Sequence, residues 1–301
     1  MKLYYANGSG LGHLTRTLAV IHTLQLNQEP ILLFTASDHT DCLRLPKNVE
    51  IVKIPTHFAN NQRSYQNWLC EQIEFHQISE VYIDAFPCGI VGEWNNFPDY
   101  IKVDFYHIGR VLNWQNYERL ETNRPPSFKA TYLLENVDPK HKRFLQIHSQ
   151  ELVTLDLSYP PAELNRKERE LVNTIFSISD KPIWLIVHSE PQEEVKQLCA
   201  YAIEISQIEN VQPYFVIISQ TKPFRSITSN ILWMNLYPAF PMFDKAERIF
   251  SACGFNIMQQ TEVYKEKHMF LPFQRHYDNQ FLRAKKRNFE QKRRKSIEPP
   301  E

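Results

Sequence analysis

Short apolar runs separated by amphipathic stretches recur along the chain. Lys2 to Ala6 (KLYYA), Ile31 to Phe34 (ILLF), Val49 to Ile54 (VEIVKI), Val81 to Asp84 (VYID) and Ile101 to Tyr106 (IKVDFY) each span four to six residues. That is the length of a strand buried on both faces of a parallel sheet. From Leu11 the apolar residues fall at Leu11, Leu14, Leu18, Ile21 and Leu24, a helical period. Strands alternating with helices predict a right-handed, doubly wound α/β sheet. The pattern weakens through the proline-containing stretches NRPPSFK and LSYPPAELNRKERE, which puts a boundary between Leu157 and Arg169.

Beyond that boundary the alternation restarts. PIWLIV (Pro182 to Val187), PYFVIIS (Pro213 to Ser219) and MFLPF (Met269 to Phe273) read as strands. EEVKQLCAYAIEIS, MFDKAERIFSAC ending at Gly254, and DNQFLRAKKRNFEQKRRK read as helices. The expected architecture is α/β, with two Rossmann-like domains, 1–160 and 161–301, facing a cleft at the carboxyl ends of both sheets, where a ligand bridges them.

Composition narrows the class without naming it. Apolar residues make up 43% of the chain and charged residues 23%, with a formal net charge of zero, as in a water-soluble globular protein, and nothing global argues for nucleic acid as a partner. No apolar run reaches the eighteen or so residues of a membrane helix, and Met1 leads straight into a strand, so the expected location is the cytoplasm. Five cysteines with no CxxC pairing predict reduced thiols rather than a disulfide framework or structural zinc. The histidines show no metal-ligand spacing, and no metal site is expected.

Candidate chemistry concentrates at GSGLGH, Gly8 to His13. The whole chain holds seven glycines, and three of them, Gly8, Gly10 and Gly12, lie within five positions, against an ordinary usage of about 7%. They sit on a strand-to-helix turn, where bare backbone, unpaired amides and the positive end of the helix dipole suit an anion such as phosphate. A dinucleotide fingerprint would need a third glycine where His13 stands, and no GKS or GKT follows to make a P-loop. An imidazole there suits a general base or a hydrogen-bond donor to phosphate. Asp84 ends its strand where open α/β sheets bind ligands, and His107 and Arg110, after the Ile101 to Tyr106 run, are further cleft candidates.

At these residues the chain resembles the nucleotide-sugar glycosyltransferases of the GT-B fold, in particular the branch of the lipid II N-acetylglucosaminyltransferase, also described as glycosyltransferase family 28. GSGLGHLTRTLAV is similar to that branch's glycine-rich loop and first helix, and EVYIDAFPCGIVGEW to its strand ending in aspartate. SACGFNIMQQTE followed by LPFQRHYDNQFLRA is similar to the donor-binding region. The resemblance implies metal-independent, inverting transfer of a sugar from a nucleoside diphosphate, expected to be UDP, to a hydroxyl acceptor, with no cofactor beyond the UDP-sugar co-substrate. It places Gly254 and Asn256 against the donor diphosphate, Gln260 toward the ribose and Asn279 and Gln280 toward the sugar. Gly10, Gly12 and His13 would face the acceptor and the leaving diphosphate.

Three departures bear on activity. Gln260 stands where the family has a glutamate, so the charge-assisted hydrogen bond to ribose is lost. HSEPQEE, His188 to Glu194, replaces a glycine-rich loop and brings acids that would repel a diphosphate. Little sequence follows the final helix to form the family's later helix. The alternative expectation is therefore a degenerate GT-B-like protein that binds a nucleotide sugar, or regulates, without transfer; a hydrolysing nucleotide-sugar epimerase shares the architecture. RAKKRNFEQKRRK, Arg283 to Lys295, carries eight basic residues and one acid. It suggests peripheral contact with anionic lipid, which would suit a lipid-linked acceptor, and lacks any motif for specific nucleic acid.

Overall fold

The computed structural model describes residues 1–119, 124–177, 180–221 and 230–295. The chain divides into two compact units, Met1–Pro160 with His276–Asp278, and Pro161–Arg275 with Asn279–Glu301. Each is built on its own parallel sheet.

In the first unit the strands are β1 (Lys2–Ala6), β2 (Ile31–Thr35), β3 (Val49–Lys53), β4 (Glu80–Asp84), β5 (Asp104–Gly109), β6 (Phe128–Leu133) and β7 (Leu152–Thr154), ordered β3-β2-β1-β4-β5-β6-β7. The helices are α1 (Leu11–Thr23), α2 (Gln62–Phe75), α3 (Trp114–Glu118) and α4 (Pro139–His148). All five residues of β1 are buried, as a central strand covered on both faces requires. Leu3, Tyr5, Leu32, Phe34, Val81 and Ile83 pack with Tyr65, Leu69 and Ile73 of α2 into one core.

The second unit holds α5 (Arg166–Ser177), β8 (Ile183–Val187), α6 (Gln192–Ile208), β9 (Tyr214–Ile218), β10 (Ile231–Met234), β11 (Arg248–Ala252), α7 (Phe255–Gln260), β12 (His268–Leu271) and α8 (Gln280–Lys295). Its sheet runs β10-β9-β8-β11-β12, the same order as β3-β2-β1-β4-β5. In each unit the order reverses beside the first strand, which creates a topological switch point.

Two sequence expectations fail here. The stretch MFDKAERIFSAC is not a helix: a short turn at Phe240–Met242 precedes strand β11, which pairs with β8 and β12. Its apolar spacing mimics a helical period because Met242, Phe243, Ala246 and Ile249 fill one core while Phe250 and Ala252 fill another. The Ile101 to Tyr106 run is displaced as well, since β5 begins only at Asp104. His107 thereby falls inside the strand, fully buried.

Candidate functional site

Strand β1 delivers the chain into Asn7-Gly8-Ser9-Gly10 and then α1, whose start carries no acidic residue in its first turn and no side-chain cap. The glycines serve different ends. A Cβ on Gly8 would lie 2.2 Å from Cδ2, 2.4 Å from Nε2 and 2.7 Å from Cγ of His13, so glycine here makes room for the imidazole. At Gly10 the backbone is extended (φ −85°, ψ 155°) and an added Cβ would meet nothing within 4 Å. Neither local conformation nor packing demands glycine there, and open space lies in front of it. Gly12 is exposed on the first turn of the helix.

His13, Arg16 and Asp84 form one cluster. Positions 13 and 16 lie one turn apart on α1 and share a face, while Asp84 is the last residue of β4. The Arg16 guanidinium grips the carboxylate at two points, Nε to Oδ1 at 2.7 Å and Nη2 to Oδ2 at 2.6 Å. His13 Nδ1 lies 2.6 Å from Asp84 Oδ2 and 3.1 Å from Arg16 Nη2. Asp84 is wholly shielded from solvent, whereas 15% of the His13 side chain is exposed. Burial alone would oppose ionisation of Asp84, but the Arg16 charge and the hydrogen bonds from His13 and Arg16 outweigh it and hold the carboxyl well below its usual range.

That ionised acceptor fixes the tautomer of the imidazole. A proton on Nδ1 is donated to Asp84, which leaves the lone pair on Nε2. Burial lowers the pKa of His13, and the Arg16 and Arg110 charges add to that effect beyond what Asp84 restores. His13 is thus a neutral imidazole at pH 7, oriented by a carboxylate that would stabilise the imidazolium once a proton is taken up, the division of labour of a base and its orienting acid.

The backbone past Asp84 is strained. Ala85 is buried with φ +65°, a conformation that costs about 1–3 kcal/mol in a non-glycine residue and concentrates at functional sites. Its amide donates to the Ile108 carbonyl at 2.9 Å, while its carbonyl lies 3.3 Å from His107 Nε2. The following loop closes around Glu93, which accepts from the amides of Ile90 (3.1 Å) and Val91 (2.9 Å) and from the hydroxyl of Tyr5. Asn7, next to Gly8, reaches the same cluster through a 3.0 Å bond to the Tyr5 hydroxyl. This ties the glycine loop to the loop after β4.

His107 is a core residue, while Arg110 acts on His13 through its charge. Burial pushes the pKa of His107 down to about 4, and its ring packs on Phe128, so it is a neutral core histidine. Arg110 is buried and bonds Asp278 at 2.6 Å, within the same unit.

In the second unit β11 leads through Cys253 and Gly254 into α7, where Gly254 has φ −66° and ψ 152°. A Cβ there would make only a 3.9 Å contact with Ile257, so the fold does not require glycine. Asn256, Gln260 and Asn279 are partly buried. Asn279 Oδ1 accepts the Leu282 amide at 2.9 Å at the start of α8. Gln280 departs from its expected place on a sugar. It is buried, and its Oε1 accepts the amides of Cys253 at 3.2 Å and Phe273 at 3.0 Å, joining the ends of β11 and β12.

Of the acids of HSEPQEE, Glu194 is neutralised internally. Arg275 bonds both oxygens of Glu194 at 2.5 Å, and His188 Nε2 lies 2.8 Å from Oε2. Burial notwithstanding, these bonds hold the Glu194 carboxyl below its usual range. Glu262 is committed too, 2.9 Å from Arg287 and paired with Lys265. It is not free to stand in for a glutamate at position 260.

Sequence reasoning missed Arg16 and Glu93. For Arg16 a signal existed, the i, i+3 spacing from His13 on an amphipathic helix.

No family model matches the chain, and no curated protein matches it. Solved structures do. The UDP-GlcNAc 2-epimerase from Neisseria meningitidis bound to UDP-GlcNAc is 12% identical, with a TM-score of 0.60 over 92% of this chain and 84% of that one. A ugt transferase from Siraitia grosvenorii in complex with UDP is 11% identical, with a TM-score of 0.59 over 94% and 82%. The glycosyltransferase SnogD from Streptomyces nogalater is 10% identical, with a TM-score of 0.56 over 92% and 83%. The fold of this chain is that of GT-B glycosyltransferases, two Rossmann-like units on parallel sheets.

Proposed function

We propose that the protein transfers a sugar from a nucleoside diphosphate, UDP in the first instance, to a hydroxyl acceptor, with His13 as the general base. The observation that carries this reading is the His13–Asp84–Arg16 cluster at the end of β4, beside a glycine loop with open space at Gly10. Nε2 of His13 takes the acceptor proton as the acceptor oxygen attacks the anomeric carbon. The bond from that carbon to the diphosphate breaks, and the nucleoside diphosphate leaves with the electron pair, inverting the centre. Asp84 keeps the imidazole oriented and Arg16 keeps Asp84 ionised. Gly10 and Gly12 leave room for the reacting groups. Gly254, Asn256, Gln260 and Asn279 are the donor-side residues of this proposal, and Gln280 supports them by fixing the strand ends.

Solved GT-B structures named as complexes with UDP and UDP-GlcNAc support a nucleotide sugar as the ligand class. Calorimetric titration with UDP, UDP-GlcNAc, UDP-glucose and UDP-galactose tests it. Saturable binding of one donor, lost in Asn279→Ala and in Gly254→Val, is expected; absence of binding across the panel at millimolar ligand refutes the donor assignment. A second reading, binding without transfer, is favoured by Glu194, a carboxylate in the first turn of α6 held by Arg275 and His188. It predicts donor binding with no turnover. An epimerase would return the sugar as its epimer, so the identity of the sugar product separates that reaction from transfer.

A further inference from the structure

We propose that the outward face of α8 docks the protein on an anionic lipid bilayer. The helix has two unlike sides. Gln280, Arg283, Ala284 and Arg287 are buried, with Arg287 Nη2 donating to the Met258 carbonyl at 2.5 Å and Gln291 to the Lys265 carbonyl at 2.8 Å. At roughly 100° per residue these positions occupy one arc of about 100°. Phe281, Lys285, Phe289, Leu282 and Lys286 occupy a separate arc of about 140°. There Phe281 is 52% exposed, Leu282 44% and Phe289 68%, with both lysines exposed between them.

Two rings and a leucine on one face of a helix whose other face is anchored are more than the scattered apolar residues of an ordinary surface. The two lysines on that face decide the occupant. A second copy would bring like charge against like. A bilayer interface takes the rings and the leucine into the boundary between headgroup and acyl chain while the lysines reach anionic headgroups. The one acid of the stretch, Glu290, is turned toward Lys265 at 3.7 Å. The chain continues Lys292, Arg293, Arg294 and Lys295, of the same sign; their side chains lie outside the described residues. This inference stands apart from the proposed reaction.

The test is co-sedimentation of the full chain with vesicles of phosphatidylcholine alone and of phosphatidylcholine mixed with phosphatidylglycerol. Binding to the mixed vesicles only is expected. Phe281→Ser with Phe289→Ser should weaken it by about tenfold or more, and Lys285→Gln with Lys286→Gln by about thirtyfold at low salt, from about 1 kcal/mol per lysine. Because these residues face solvent, urea midpoints of both variants should match the wild type, which separates loss of docking from loss of folding. Any of these results overturns the proposal: no binding to mixed vesicles at low salt, undiminished binding by the phenylalanine variant, or tighter binding to a duplex DNA fragment than to the mixed vesicles. A dimer in solution that the same phenylalanine substitutions dissociate would overturn it too.

Discussion

Replacing Gly8 by alanine sets a methyl group against the ring on which the proposed chemistry depends. The added Cβ would stand 2.2 Å from Cδ2 and 2.4 Å from Nε2 of His13, where ordinary contact begins at 3.4 Å, so ring and loop must part by roughly 1 Å. His13 Nδ1 is held 2.6 Å from Asp84, and a shift of that size along the bond breaks it. The cost is about 1–3 kcal/mol for overpacking and roughly 1.5–3 kcal/mol for a hydrogen bond to a charged acceptor. A loss of about 3 kcal/mol in urea unfolding is the expected outcome. The double-mutant cycle isolates the cause: in a His13→Ala background the methyl group has no ring to strike, and the same substitution should cost less than about 1 kcal/mol. Gly10→Ser is the contrast, since its side chain enters open space and serine is a good N-cap, and it should leave stability equal or slightly higher. Equal cost of Gly8→Ala with and without His13 would refute the packing argument.

The ion cluster makes two further predictions, and Arg287 in the second unit a third. Asp84→Ala leaves the Arg16 guanidinium buried without its partner and should cost about 3–5 kcal/mol by urea unfolding, whereas joint replacement by Asp84→Leu and Arg16→Met should cost less than Asp84→Ala alone. Because the folded pKa of His13 lies below its unfolded value, the neutral form is favoured by folding; that contribution is complete above the unfolded pKa, near 6.5, and is lost as pH falls toward the folded one. Stability measured in His13→Ala should accordingly depend less on pH between about 5 and 7 than in the wild type. Arg287→Met removes the donor to the Met258 carbonyl and the partner of Glu262, and should lower the urea midpoint by the equivalent of about 2–3 kcal/mol.

Much of this molecule is legible in the sequence because a parallel sheet buries its strands on both faces and so writes them as uninterrupted apolar runs. KLYYA, ILLF and PIWLIV are of that kind, and the glycine cluster marks the first strand-to-helix turn. Legibility ends where one spacing satisfies two periods, as in MFDKAERIFSAC, whose apolar residues divide between two cores around β11. It ends again where a side chain's partner is remote in sequence. His13 and Asp84 are each visible as candidates, but their 2.6 Å approach depends on the pairing of β1 with β4. Gln280 lies at the expected point of a motif, yet two backbone amides have claimed its oxygen. Glu194, expected to repel a diphosphate, is already matched by Arg275 and His188.

The most direct test of the proposed reaction follows the anomeric phosphate by ³¹P NMR. UDP-sugars are incubated with the protein and a cell extract that supplies acceptors, with wild type and His13→Ala compared side by side. The account predicts that one donor is converted to free UDP by the wild type, with its sugar recovered in a glycosidic product, and that His13→Ala is slower by about a hundredfold or more. Equal rates in the two proteins, or no UDP release from any donor, would contradict it.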